Sequence, residues 1–364
     1  MKETSKRRKF IITGSVILIV ILTILVIESQ KPKIQTTTSN EEKNAKYLKA
    51  PDFIGIEHWI NSDPLTIAQL KGKVVLVDFW TYTCINCIRT IPYLKQWDEK
   101  YREKGLVIIG IHTPEFNFEK NYDNVVAAAK KYGIKYAIAQ DNEYSTWNAY
   151  QNRYWPHEYL VDIDGYIRYD HIGEGNYEES EKMIQALLEE KMKQENKTLS
   201  FEENMSKPQE AVNINALKVK TPEIYLGYQF SRGNFGNKEG QQPEQTTEYK
   251  IPQDTQADEV YLSGTWKNNA DNMELQSETG EILLTFSAKD AHIVAESQNA
   301  SEAAIFLNNA PVDETNKGMD VIGNKVSIKE SRLYNLVSAK DYDTYTLKIE
   351  ITGKGFKIYT FTFG

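Results

Sequence analysis

The spacing of apolar residues changes twice along this chain, and each change marks a different kind of structure. Phe10 to Ile27 is an unbroken apolar run of 18 residues with no charge and no proline. At 1.5 Å per residue it predicts a helix of about 27 Å, one hydrocarbon thickness. Residues 28–47 are polar, with almost nothing to bury, and predict a flexible tether. From residue 48 to 190, short β-branched runs alternate with stretches of helical period. Lys73–Trp80 and Leu106–Ile111 predict buried central strands. Ile85, Ile88, Ile91 and Leu94 recur at helical spacing, and Glu119–Tyr132 predicts a helix closed by Gly133. Tyr136–Ala139 predicts a short strand and Glu143–Tyr150 a short helix. Tyr159–Ile163 and Tyr166–His171 flank Asp164-Gly165 as a hairpin, and Tyr177–Glu190 is a closing amphipathic helix. This order predicts an α/β unit with a mixed sheet flanked by helices.

Residues 191–220 are rich in Lys, Glu, Asn and Gln and predict a linker. From Thr221 to Gly364 the period becomes two. Tyr345, Leu347, Ile349 and Ile351 alternate with Thr344, Thr346, Lys348 and Glu350, and Gly353-Lys354-Gly355 turns the chain into Phe356–Phe363. Glu259–Ser263, Glu281–Phe286, His292–Glu296, Ala304–Leu307 and Lys325–Ile328 are further strand candidates. Many short strands with frequent turn residues predict an all-β sandwich.

Charge gives the apolar run an orientation. Lys2, Lys6, Arg7, Arg8 and Lys9 face one acid, Glu3. Residues 1–9 are therefore expected to be a cytoplasmic basic tail, 10–27 a transmembrane anchor, and the rest extracytoplasmic at the cell membrane. The alternative is a long signal peptide cut within residues 28–40. Lys+Arg 43 against Asp+Glu 51 leaves a net charge of −8. Such a chain has no general pull on nucleic acid, and no basic stretch interleaved with aromatics occurs in the body. The two cysteines, Cys84 and Cys87, exclude a disulfide-stapled scaffold and lack half the thiolates of a Cys-rich zinc site. The five histidines show no ligand spacing, so neither metal nor cofactor is expected.

Cys84-Ile85-Asn86-Cys87 falls where a buried strand meets a helix. The first sulfur then lies at the helix N-terminus, where unpaired N–H groups favour a thiolate. The second lies one turn inside, within disulfide reach. A thiolate at Cys84 can attack a substrate disulfide, and Cys87 can resolve the mixed disulfide. A zinc half-site or two unrelated core cysteines are the competing readings.

The surrounding residues resemble the thioredoxin superfamily over 48–190. Asp78-Phe79-Trp80 precede Cys84 by six, five and four residues, Pro92 follows Cys87 by five, and Trp155-Pro156 sits where the family has its cis-proline. Ala50-Pro51-Asp52-Phe53, Leu65-Thr66 and Lys71-Gly72-Lys73 resemble the membrane-tethered TlpA/ResA branch. That likeness places Glu115 as an acidic residue near the active site. Trp80–Leu94, Tyr154-Trp155-Pro156, Ser331–Tyr334 and Phe361–Gly364 are similar to the extracytoplasmic part of DipZ proteins. These join a thioredoxin-like domain to a carbohydrate-binding-module-like β-sandwich. Such proteins also carry a CcdA-like electron-transfer domain. One span replaces it here, so the resemblance implies a separate CcdA-like membrane donor.

Cys84 is thus the expected nucleophile and Cys87 the resolving thiol. Asp78, in a buried strand beneath them, is expected to shuttle a proton for Cys87, with a purely structural aspartate as the alternative. Trp80, Trp155 and Pro156 are the candidate substrate-binding residues, although Trp80 also reads as core. His157, beside Pro156, is the histidine of interest. Trp266, Tyr225 and Tyr228 would form a sugar-stacking platform if they were not sandwich core. The expected function is reduction of disulfides in exported proteins. A disulfide-forming oxidase or isomerase of the same fold remains open, as does a glycan- or partner-binding surface protein with an accessory redox domain.

Overall fold

The computed structural model describes residues 40–197, 204–212 and 214–364. The expected basic tail, the apolar run 10–27 and residues 28–39 of the expected tether lie outside them. Asn40–Lys46, placed in that tether by composition, is a short helix, α1. Among the described residues no helix is long and apolar enough to cross a membrane.

The first domain follows the predicted alternation. Its strands are β1 (His58–Ile60), β2 (Val74–Trp80), β3 (Leu106–His112), β4 (Ala137–Gln140), β5 (His157–Val161) and β6 (Ile167–Ile172). Its helices are α2 (Ile85–Tyr101), α3 (Tyr122–Tyr132), α4 (Ser145–Ala149) and α5 (Tyr177–Gln194). The sheet runs β1-β4-β3-β2-β5-β6, with β2, β3 and β4 parallel and the other pairings antiparallel. β1, unexpected from its sequence, is only three residues long and pairs with β4. Every residue of β2 is buried, because helices cover one face and the loops around α4 cover the other. Val74, Leu76 and Trp80 face the core under α2 and α5 with Ile91, Leu94, Trp97, Ile184 and Leu188. Val75, Val77 and Phe79 face the opposite core with Trp147, Tyr150 and Tyr159.

Two glycines are fixed by this packing. Gly133 closes α3 at φ 67°, a conformation that costs a residue with a Cβ about 1 kcal/mol or more. A Cβ at Gly110 would come within 2.8 Å of Trp80 Nε1, so β3 is bare there to admit the indole.

The region 191–220 does not hang free where it is described. α5 extends through residue 194. Ser206 donates its N–H and hydroxyl to Glu181, Lys100 Nζ donates to the Asn204 carbonyl, and Lys95 pairs with Glu210. This strap lies along the first domain.

The second domain is β-rich, as its period required, and its strands are connected by continuous pairing. Its main strands are β7 (Ile224–Tyr225), β8 (Thr246–Tyr249), β9 (Val260–Asn268), β10 (Met273–Leu275) and β11 (Thr279–Ser297). β12 (Ser301–Leu307), β13 (Ala310–Pro311), β14 (Lys325–Ile328), β15 (Arg332–Thr352) and β16 (Phe356–Phe363) follow. All ten belong to one hydrogen-bonded sheet. The expected strands 281–286 and 292–296 are one strand, β11, interrupted by register shifts at Ala288/Asp290 and Ala291/His292. The irregularity around Lys289-Asp290 is a bulge within this strand. β11 pairs with β9 through Glu281–Leu284 and with β16 through Ala291–Ser297. β10 joins β9 to β16, so pairing closes a ring around a single apolar core. The β-rich expectation stands, and the hydrogen bonding runs continuously through it because the long strands β11 and β15 are bulged midway.

Candidate active site

The redox motif begins where β2 ends. Thr81–Thr83 carry the chain to Cys84, which is the N-cap of α2 with extended backbone (φ −69°, ψ 115°). Cys84 Sγ accepts a hydrogen bond from the Cys87 N–H at 3.3 Å, and its own S–H points at the Trp155 carbonyl, 3.9 Å away. The amides and dipole of the first turn stabilise negative charge on the atom they face. Cys84 is part-exposed and Cys87 is 1% exposed. Both are free thiols. The peptide bond Trp155–Pro156 is cis, so the sulfur, the Trp155 carbonyl and the buried Pro156 ring meet at one edge.

Cys87 is pushed well above the ordinary thiol range. Burial is the main cause, helped by its contact with Cys84 and by the Asp78 carboxyl. Asp78 is 2% exposed, one of its oxygens has no partner, and burial holds its carboxyl well above the carboxylate range. Its second perturber is Glu158, the residue directly opposite on β5. Burial pushes Glu158 itself up to about 7. Composition gave no reason to single out Glu158. Its register against Asp78 is set by the antiparallel pairing of two strands some 80 residues apart, which the predicted strands do not specify.

Trp155 is part-exposed, donates Nε1–H to the Thr113 carbonyl, and lies 4.3 Å from the Trp147 ring. It keeps part of its surface exposed, and its carbonyl lies beside Cys84 Sγ. Trp80 is 1% exposed and meets His112 edge-on at 5.2 Å, so the substrate-contact expectation is corrected to core packing. His157 is tied to Asn152 Oδ1 (2.6 Å) and Asp170 Oδ2 (3.0 Å), and burial lowers its proton affinity. It orients the loop before Pro156.

The acid that touches the redox loop is Glu119 rather than Glu115. Thr83, next to Cys84, donates its hydroxyl to Glu119 Oε1 at 2.5 Å, and Glu119 Oε2 accepts the N–H groups of Glu115 and Phe116. Glu115 instead turns to the second domain, where the Tyr225 hydroxyl donates to its Oε1 at 2.6 Å. No capping signature marked Glu119 in the sequence, because Phe116 has no side-chain acceptor to complete one.

The two domains share this site. Ile85, inside the motif, is buried with Phe116, Tyr225, Val294, Leu333 and Tyr359. The Tyr82 hydroxyl donates to the Ser331 carbonyl. A cleft of about 250 Å³ opens beside Asn86, lined by Arg89, Glu174, Thr221, Glu223 and Phe363 from both domains. The expected sugar platform does not assemble. Trp266 is fully buried with Nε1 donating to the Ser263 carbonyl, and Tyr225 packs on the redox domain.

Glu115 supplies a pH test of this docking. The residue keeps some exposure, but its carboxyl is enclosed, and burial followed by Glu119 pushes it from 4.5 up to about 8. A carboxyl raised in the folded state binds more protons there than in the unfolded chain. Stability is therefore lost as pH rises through the window between those two values. Glu115→Gln is expected to flatten this loss, so that between about pH 5 and pH 8 its thermal midpoint falls by about 2 °C less than that of the unsubstituted chain. Parallel slopes in a thermal-unfolding series would contradict it.

Residues 48–188 match the Redoxin family, and residues 221–364 match the family described as Thioredoxin like C-terminal domain. The protein DipZ of Mycobacterium tuberculosis is 34% identical over 277 residues, covering 74% of this chain and 38% of that relative. The chain therefore spans well under half the length of that relative. The thiol-disulfide oxidoreductase ResA of Bacillus anthracis is 29% identical over 150 residues, 41% of this chain and 82% of its own. A solved thioredoxin-like protein in the oxidized form is 26% identical, with 40% of this chain and 97% of that one covered, at a TM-score of 0.37.

Proposed function

We propose that this chain, which belongs to the thioredoxin superfamily through its redoxin and thioredoxin-like C-terminal domains, is a membrane-anchored extracytoplasmic thiol–disulfide oxidoreductase. It works as a dithiol, reducing disulfides of exported proteins, and is re-reduced by a CcdA-like membrane donor. The observation that carries this reading is the asymmetry of the pair. Cys84 Sγ is reachable at a helix N-terminus beside the Trp155–Pro156 edge, while Cys87 is sealed beneath it.

The geometry gives an order of events. An extended substrate lies along the Trp155 backbone, and its disulfide meets the Cys84 thiolate. Attack forms a Cys84–substrate disulfide and expels one substrate thiolate, which takes up a proton. Cys87 then loses its proton to the Asp78 carboxylate and attacks Cys84 Sγ. The Cys84–Cys87 disulfide forms and the second substrate thiolate leaves. Two electrons pass from the dithiol to the substrate. The N-terminal run 10–27 and its basic flank support the anchoring and the side of the membrane.

Cys87→Ser is expected to arrest this sequence after the first attack and to accumulate a mixed disulfide through Cys84 with exported proteins, seen as a band removed by reductant. A reduction potential of the unsubstituted pair close to the thioredoxin value of about −270 mV supports a reductant. One near the DsbA value of about −120 mV assigns the oxidase direction instead.

A further inference from the structure

Strand register places three titratable residues side by side on the face of the sheet beneath Cys87. Asp78 on β2 is paired with Glu158 on β5, and Glu158 is paired with His171 on β6. Residues paired in this way project to the same side, with Cβ atoms about 5 Å apart. That side is the one covered by α2 and α5, since Trp80 and Leu160 point into the same core as Cys87. On the other flank of Asp78 stands Gly110, so the row ends there. It starts at the resolving cysteine and finishes on β6, the edge strand. Asp78 and Glu158 are each 2% exposed, whereas His171 is part-exposed. Asp78 Oδ1, Glu158 Oε2 and His171 Nε2 are all buried atoms without a hydrogen-bond partner. Three orphaned polar atoms on three adjacent strands are costly unless they serve a purpose.

We propose that Asp78, Glu158 and His171 form a proton-transfer row that carries the Cys87 proton to the edge of the sheet. The proposal rests on Cys84–Cys87 being the redox pair. Cys87 is sealed from water, so the proton it must lose has no direct exit. Asp78 accepts it, Glu158 receives it from Asp78, and His171 delivers it to solvent. No electron moves along the row. Glu158 and His171 act through Asp78 and are positioning residues for the proton.

The neighbours on every packed element fit this role. Asp78 faces Cys87 from α2 and Tyr136 from the segment before β4. Glu158 faces Ser180 and Tyr177 from α5, Tyr169 from β6 and Tyr136. His171 faces the Glu174 and Gly175 backbone, Glu179, Asp170 and His157, and burial lowers its proton affinity, so a proton that reaches the ring passes on to solvent rather than staying. No lysine or arginine is among these neighbours, so no fixed cation locks either carboxylate in its ionised form. Two facing acids in such a site hold one proton more readily than none.

The test uses the full reduced chain and dithiobis(nitrobenzoate), whose two thionitrobenzoate releases separate the two sulfurs. The first reports attack by Cys84, and the second reports resolution by Cys87. Both are followed by stopped-flow absorbance across a pH series. Burial is the main cause that raises Asp78 and the Glu158 charge the second; Glu158→Gln removes the second, so Asp78 becomes a proton acceptor at lower pH. The first release should be unchanged, and the acid limb of the second should move down by about one pH unit. His171→Gln, on the edge strand, should slow the second release roughly threefold or more without moving its midpoint. If Glu158→Gln fails to fold, His171→Gln decides alone. A second release that superimposes on that of the unsubstituted chain in either variant overturns the row. So does an equal slowing of both releases, the mark of a structural effect. Loss of the first release in the unsubstituted chain would instead defeat the redox reading itself.

Discussion

Cys84→Ser is expected to lower catalysed disulfide reduction by a factor on the order of 10³ or more, with the fold intact. The substitution exchanges one atom at an N-cap, and serine is itself a favoured N-cap residue, so α2 loses nothing structurally. What disappears is the nucleophile. A serine hydroxyl does not ionise at neutral pH and cannot exchange with a disulfide. Cys87 cannot replace it, because its sulfur is 1% exposed and burial holds its proton on. Insulin-type reduction measured beside circular dichroism separates loss of chemistry from loss of fold. Retention of more than about one tenth of the activity would place the nucleophile elsewhere.

Trp266→Ala is the largest stability change expected in the second domain, about 3–5 kcal/mol. Trp266 is fully buried on β9, meets Phe356 edge-on at 6.2 Å, and donates Nε1–H to the Ser263 carbonyl. Truncation leaves a cavity in a core where the ring of strands closes, and it removes the indole's hydrogen bond to the Ser263 carbonyl. The cost is read as a fall in the urea midpoint. If instead the indole were a glycan-stacking surface, the substitution would cost less than about 1 kcal/mol and leave the midpoint in place.

The same contrast separates what was readable along the chain from what was not. β2, β3, α2 and the β5–β6 hairpin followed from local period, because each buries its own apolar residues on faces set by 3.6 or 2.0 residues per repeat. The Cys84–Cys87 site was equally local, a strand end and a helix start four residues apart. Trp80 and Trp266 show the limit. An aromatic in a strand reads the same whether it faces a ligand or a core, and only the element packed over it decides. Glu115 and Glu119 show it again. They lie four residues apart in one loop, yet one carboxyl holds Thr83 of the redox loop and the other receives Tyr225 from a distant strand.

By itself the sequence determined two domains of different class, the redox pair and the strand beneath it, since each depends on neighbours within about one turn or one strand. The cis-proline was implied only by the resemblance to the thioredoxin superfamily, and its place beside Cys84 was set by the fold. Tertiary structure alone decided that the β-rich domain closes over Ile85, that its bulged strands form one continuous sheet, and that Asp78, Glu158 and His171 stand in a single row. The physical reason is range. Periodicity records which face of an element is apolar, whereas register and docking are set by hydrogen bonds and burial between residues up to some 250 positions apart, such as Tyr82 and Ser331.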